Sequence, residues 1–286
     1  ASRQTGKTSL LMQAIHAASR EGQTRVIYLD FQLAGEEARA TLESLLQYLS
    51  EAVAEQLDLP WDRVDAHWQA SRSPVQTFNR FLQREVLQPL PHPVLLAIDE
   101  ADLLLDAAYK KHFFALLRAW DSRRAFDPTW RKLNLVLVIS THPYLLIDDA
   151  NLSPFNVGLT LSLKDFTPDQ IADLNQRHGA PLRSQEIPAL MRLVGGHPYL
   201  VRQAFYSLIG EGLTLPGLEA AAASPEGPFG KHLLFYHHSL KKNPPLLAAF
   251  QQVLREKPAP DETLLDRLAA AGLLRQEEGE FVPRCG

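Results

Sequence analysis

Lys7 and Thr8 in "TGKTS", and Asp99 and Glu100 at the end of "VLLAIDE", are residue types that together can hold and cut a phosphate anhydride. A phosphate loop needs consecutive backbone N–H groups at the start of a helix. It also needs a lysine that reaches the β- and γ-phosphates and a hydroxyl for Mg²⁺. Residues 1–8 read A-S-R-Q-T-G-K-T, so the last three positions fit the pattern GxxxxGK[ST] while Ala stands where its first Gly should be. Ala is tolerable there if the position needs no positive φ. Gln4, Thr5, Gly6, Lys7, Thr8 and Ser9 are therefore the candidate nucleotide-binding residues. A chance GKT at a helix start is the competing explanation.

The second motif weakens that explanation. Five apolar residues run into Asp99-Glu100 about ninety residues after Lys7. At the C-terminal edge of a parallel strand, where ligands of open α/β sheets bind, Asp99 would hold Mg²⁺ together with Thr8. Glu100 would polarise the attacking water, with Lys7 as its catalytic partner. An ordinary buried strand ending in an acidic turn would look the same in isolation. A third strand, "LVLVISTHPY", places Ser140 and Thr141 at its end, where a hydroxyl can meet the γ-phosphate or the lytic water. Capping of the strand end explains them almost as well, and His142 reads as a surface histidine.

The elements that must position these groups are legible as patterns. Residues 24–31, 93–100, 133–141 and 157–163 are apolar, β-branched-rich runs that read as buried strands, most of them separated by helical patterns. Strands alternating with helices imply a parallel α/β sheet. The apolar stripe of Leu10, Leu11, Ala14, Ile15 and Ala18 marks the helix after the loop. Further helices are expected over 36–57, 74–87 and 102–124. The strand that should feed the loop is expected to precede Ala1, which makes this a piece cut from a longer protein.

Beyond residue 164 the pattern turns helical. Thr167, Pro168 and Gln170 spell an N-cap, a first-turn proline and a capping-box partner. "GGHPY" (195–199) ends one helix and starts the next. Residues 165–214 read as a small helical domain after a core at 1–164, and the Gly/Pro/Ala-rich 215–230 reads as a linker. Three helices and a strand–turn–strand over 231–286 suggest a truncated winged helix.

Composition sets outer limits. The chain has 286 residues, 29 Lys and Arg against 33 Asp and Glu, a net charge of −4 and one cysteine, Cys285. The mild negative balance argues against a protein built to grip nucleic acid. So does the acidic helix "DETLLDRLAAAG", with Asp261, Glu262 and Asp266 against Arg267. The lone cysteine fits a reducing, cytoplasmic setting, and no run is apolar enough to span a membrane.

"RQTGKTSLL", "VIYLDFQ", "LLAIDEADLLL", "LVLVIST", "LVGGHPYLVRQAFY" and "GPFGKHL" together resemble the AAA-like ATPase domain of bacterial STAND-type signalling proteins, over nearly the whole chain. The resemblance implies a P-loop sheet domain with a helical lid and a winged helix that docks within the molecule. It implies ATP/ADP and Mg²⁺ as cofactors and a slow ATPase that is closed with ADP and open with ATP. It also implies partners within one parent protein and assembly into homo-oligomers on ATP. Gln4 to Ser9 match the family's loop, except that Ala1-Ser2 replaces its Gly-Pro. Asp99 and Glu100 match the acidic pair, and Pro198 matches the proline of a Gly-x-Pro motif beside the nucleotide. "IDEADLLLD" also invites comparison with DEAD-box helicases, but no second RecA-like domain, HRxGR-type run or "SAT" is present. Candidate arginine fingers are Arg123, Arg124 and Arg131, with Arg192 and Arg202 in the helical part. The rival functions are a nucleic-acid-dependent motor or loader and a scaffold with relic motifs.

Overall fold

The computed structural model describes residues 4–20, 22–69, 73–140, 153–255, 261–277 and 279–285. The chain divides into one unit of Lys7–Leu161 and a second made of Ser162–Gly286 with the short segment up to Gly6.

The first unit is built on a parallel sheet in the order β1-β2-β3, with β1 at Arg25–Asp30, β2 at Val94–Asp99 and β3 at Leu133–Leu137. Parallel strands need crossover connections. Here α2 (Leu42–Gln56), α3 (Trp61–Gln69) and α4 (Pro74–Phe81) lie between β1 and β2, and α5 (Lys110–Arg124) between β2 and β3. The central strand β2 is buried along nearly all its length, which is why it reads as a continuous apolar run. Register pairs Asp30 with Asp99 and Ile98 with Leu137, so three strand ends line one edge.

Helix α1 (Lys7–Arg20) follows the loop directly. The capping box of Thr41 and Ser44 starts α2 at Leu42, later than the apolar pattern from residue 36 suggested, because the cap side chain fixes the entry. Helix α4 runs on into a π-helical stretch, Leu82–Leu87, where Lys132 Nζ donates to the carbonyls of Leu87 and Leu90 at 3.0 and 2.7 Å. Phe31, Phe78, Phe81, Phe113, Phe114, Trp120 and Trp130 add aromatic rings to a mainly aliphatic core around the sheet. At Tyr28 one side chain caps the edge of β1. Gln56 accepts from Tyr28 N–H at 2.9 Å and donates to Tyr28 C=O at 2.8 Å, imitating a neighbouring strand.

Three expectations change. The run 157–163 is not a strand, and Leu159 and Leu161 stand 87% and 71% exposed. Alternating apolar residues make a strand only where another strand pairs with them, and none of the described residues does. The helix expected over 102–124 is broken, with a 3-10 turn at Ala101–Leu104 before α5. The stretch read as a linker contains a helix, Leu215–Ala221, with Thr214 as its N-cap. Its Leu215 and Leu218 are buried, and that burial outweighs the local Gly/Pro signal.

The second unit carries α6 (Pro168–Arg177), α7 (Ile187–Val194), α8 (Pro198–Gly210), α9 (Leu215–Ala221), α10 (Gly230–Lys241), α11 (Pro244–Leu254) and α12 (Glu262–Ala271). An antiparallel hairpin follows, β4 (Leu274–Glu277) with β5 (Glu280–Pro283). Thr167 caps α6 with Gln170 completing the box and Pro168 in the first turn. Helices α6 to α9 share one core, and α10 to α12 share another with β4 and β5. Where α7 meets α8, Gly195 and Gly196 have φ of 59° and 71°. A Cβ on Gly195 would lie 1.9 Å from the Arg284 carbonyl oxygen, and one on Gly196 would lie 2.4 Å from that of Phe166. Glycine is thus required twice over, by conformation and by space.

Gly195→Ala is expected to lower the stability of this unit by about 1–3 kcal/mol from backbone conformation, with the clash adding to it. All four tryptophans lie in the other unit. The helical far-UV signal should therefore melt earlier while the tryptophan-emission transition holds, and coincident unshifted transitions would refute the packing argument.

Candidate functional site

The site is assembled at the C-terminal edge of the sheet. Asp99 ends β2 with only 2% of its surface exposed. Thr8, in the first turn of α1, donates its hydroxyl to Asp99 Oδ2 at 2.7 Å across 91 residues of sequence. Asp99 Oδ1 accepts the N–H of Glu100 at 2.9 Å. A third donor comes from β1, where the Tyr28 hydroxyl approaches Oδ2 at the longer distance of 3.4 Å. Burial, followed by the nearby charges of Asp99 and Asp30, pushes the Tyr28 phenol up to about 12. Tyr28 therefore stays protonated and can only donate to the carboxylate.

The loop residues are arranged for a tight turn. Gln4 and Gly6 have φ of 59° and 89°, and α1 begins at Lys7 immediately after. Thr5 is buried, Lys7 is half-buried, and Gln4, Gly6, Thr8 and Ser9 are exposed. The positive φ of Gly6 is a conformation that residues with a side chain rarely adopt.

Glu100 sits in the left-handed region, φ 54° and ψ 37°. For a residue with a side chain this costs on the order of 1–3 kcal/mol and persists only where the surroundings over-determine it. Ala101 N–H donates to Val138 C=O at 3.1 Å and Leu103 N–H to Glu100 C=O at 3.0 Å. Ser140 is 4% exposed, and its N–H donates to Asp102 Oδ1 at 2.9 Å. Asp99 at the end of β2, Glu100 just after it and Ser140 in the segment beyond β3 are thus brought together by backbone and side-chain bonds. Thr141 and His142 lie outside the described residues.

Tyr28, Asp30 and Asp102 were not singled out in the sequence. Tyr28 and Asp30 hide inside an apolar strand run, and only the register of β1 on β2 brings them beside Asp99. Asp102 was visible in "DEAD", but the strand end it meets is 38 residues away.

The arginines before β3 do not join this edge within their own chain. Arg123 lies over the Trp130 ring at 4.9 Å, Arg124 donates to the Leu133 carbonyl, and Arg131 donates to the Arg124 carbonyl at 2.9 Å. All three sit at the start of β3, a strand length of roughly 15 Å from its functional end. Pro198, in the second unit, begins α8, with His197 as its N-cap accepting the Tyr199 N–H at 3.2 Å. Arg192 and Arg202 are exposed on that unit.

The raised Tyr28 phenol gives a pH prediction. A group that holds its proton more tightly when folded adds stability below its unfolded value and loses it as pH climbs through the folded value. Stability is expected to fall between about pH 10 and about 12, with a smaller fall in Tyr28→Phe. Denaturant unfolding of both proteins across that range reads the difference, and equal slopes would deny that burial and the nearby carboxylates raise the Tyr28 phenol.

A family model described as an AAA-like domain matches residues 1–286. An uncharacterized WD repeat-containing protein of Synechocystis sp. is 28% identical over 226 residues, a match that takes in 74% of this chain and 18% of that protein. Among solved structures, the ORC2 protein of Aeropyrum pernix, in ADPNP-ADP complexes, overlays with a TM-score of 0.57 at 15% identity, covering 100% of this chain and 82% of that one. At that identity the likeness shows the fold alone. Cdc6p of Pyrobaculum aerophilum gives a TM-score of 0.49 at 15% identity over 98% of this chain and 82% of its own.

Proposed function

Because the chain belongs to the AAA-like domain family, we propose that it binds ATP and ADP with Mg²⁺, hydrolyses ATP slowly, and acts as a nucleotide-dependent switch in a larger protein. One observation carries the reading. The Thr8 hydroxyl and the Asp99 carboxylate, far apart in sequence, meet at 2.7 Å at the sheet edge beside the start of α1. Two hard oxygen donors beside a helix N-terminus suit a magnesium–phosphate group. The fold neighbour from Aeropyrum pernix was solved as ADPNP-ADP complexes, which agrees with this reading.

In this proposal Gln4, Thr5, Gly6 and Ser9 present backbone and side-chain donors to the phosphates. Lys7 brings its ammonium to the β- and γ-phosphates, and Thr8 and Asp99 hold the metal. Mg²⁺, when bound, neutralises phosphate charge as the anhydride breaks. Glu100 orients the attacking water, and Ser140 offers its hydroxyl to that water or to the γ-phosphate. Pro198 contributes a lid contact to the nucleotide. Residues 165–214 act as the lid, and α10 to α12 with the β4–β5 hairpin act as a winged helix. The acidic α12 favours docking within the parent protein over DNA. The WD-repeat relative, of which this chain matches 18%, fits a multidomain regulator. ADP would hold the closed form and ATP the open, assembling one, in the cytoplasm.

Saturating Mg·ADP and Mg·ATP should each raise the melting temperature of the full-length protein, and the gain at a hundredfold excess over Kd is about 2.7 kcal/mol. Lys7→Ala should abolish it. Larger assemblies in ATP alone, seen by size-exclusion chromatography, would support the switch. DNA-stimulated hydrolysis without a change of assembly would favour a nucleic-acid-dependent loader instead. No stabilisation by either nucleotide would end the ATPase reading.

A further inference from the structure

Beyond the bond from Val138 N–H to Ile98 C=O at 2.9 Å, the turn that carries Glu100 is tied to the segment after β3, which carries Ser140, by two more hydrogen bonds. One is backbone to backbone, Ala101 N–H to Val138 C=O at 3.1 Å. The other is made by a side chain, Asp102 Oδ1 accepting the Ser140 N–H at 2.9 Å. Of the two, only the second is made by a side chain, so a substitution can remove it without altering the backbone. Glu100 lies between Asp99 and this staple in the left-handed conformation, so its carboxylate direction depends on what holds the residues after it. We propose that Asp102 is a positioning residue that locks Glu100 and Ser140 into one rigid frame, setting the geometry of the attacking water without touching nucleotide. The inference rests on the ATPase reading above and deepens it.

The physical argument separates the hydrogen bond from the charge. Asp102 is half-buried and its Oδ1 meets a backbone amide. An asparagine keeps a carbonyl oxygen at that place and loses only the charge. Alanine loses the acceptor, freeing the Ser140 amide and leaving the turn held by the Ala101–Val138 bond. A displacement of about 1 Å at a reacting group can slow chemistry about a hundredfold while leaving ground-state binding intact.

The test uses the full-length protein. Asp102→Ala is expected to lower kcat about 10- to 100-fold, with the ATP dissociation constant within about threefold of wild type. It should also speed hydrogen exchange at the Ser140 amide. Asp102→Asn should restore kcat to within about threefold and restore the protection. In the Ser140→Ala background, Asp102→Ala should cost less than it does alone, because the two act as a unit. Unchanged kcat and exchange in Asp102→Ala would overturn the proposal. So would equal losses in the Asn and Ala variants, or affinity and kcat falling together. If Asp102→Ala does not fold, Asp102→Glu carries the test. It keeps the charge but moves the oxygens by one methylene, so kcat must fall, and a wild-type kcat overturns the proposal. A wild-type protein that neither binds nor hydrolyses ATP overturns the ATPase reading and this inference with it. Hydrolysis by wild type beside an unaffected Asp102→Ala overturns this inference alone.

Discussion

Asp99 carries a carboxylate to a place where only 2% of its surface meets solvent. A buried ion loses its hydration at a cost of several kcal/mol, and it persists only where hydrogen bonds or charges replace the water. Here Thr8, the Glu100 amide and, at longer range, Tyr28 do so, from three different parts of the chain. That requirement fixes how α1, β1 and the turn after β2 meet. A carboxylate so surrounded has both oxygens directed and little freedom to turn.

The sheet supplies the rigidity. β2 is paired on both sides and packed among aromatic rings, so its C-terminal end is a fixed point. The groups that would do chemistry lie at that end and on the adjoining strand ends, while the arginines before β3 are spent on Trp130 and on local carbonyls at the opposite end. Gln56 satisfies the edge N–H and C=O of Tyr28 in β1. At the end of β2 the strained backbone position is Glu100, next to the most tightly held residue. A left-handed non-glycine residue is tolerable there because bonds on both sides remove its alternatives.

In the second unit the decisive constraint is steric. Gly195 and Gly196 let the α7–α8 turn pass against the carbonyl oxygens of Arg284 and Phe166. Arg284 in turn pairs with Asp165 beneath that turn, where the guanidinium is buried and the carboxylate partly so. One short motif thereby ties the end of the chain to the segment that enters α6. His232, packed against Tyr199 and Tyr236 nearby, is held well below the usual histidine range, to about 4, by burial and then by Arg284. It is a neutral, structural histidine at ordinary pH.

Local chemistry accounts for what the sequence determined by itself. Thr167, Pro168 and Gln170 form a capping box because all three partners lie within one turn, and Gly195-Gly196 with Pro198 mark a helix junction by the same logic. The apolar runs of β1, β2 and β3 announce a buried parallel sheet, and "GKT" and "DE" announce the chemistry. Pairing across distance was illegible. The run 157–163 has the letters of a strand and no strand beside it, while Leu215–Ala221 has the letters of a linker and a core to bury into. The register of β1 on β2 put Tyr28 and Asp30 beside Asp99, and a fold brought Ser140 to Asp102 across 38 residues. The sequence determined the parts because caps, periodicity and glycine conformations are satisfied within a few residues. Only the tertiary structure decided which distant groups share the burial of one carboxylate, because the hydrogen bonds that compensate that burial come from wherever the packed chain happens to bring a donor.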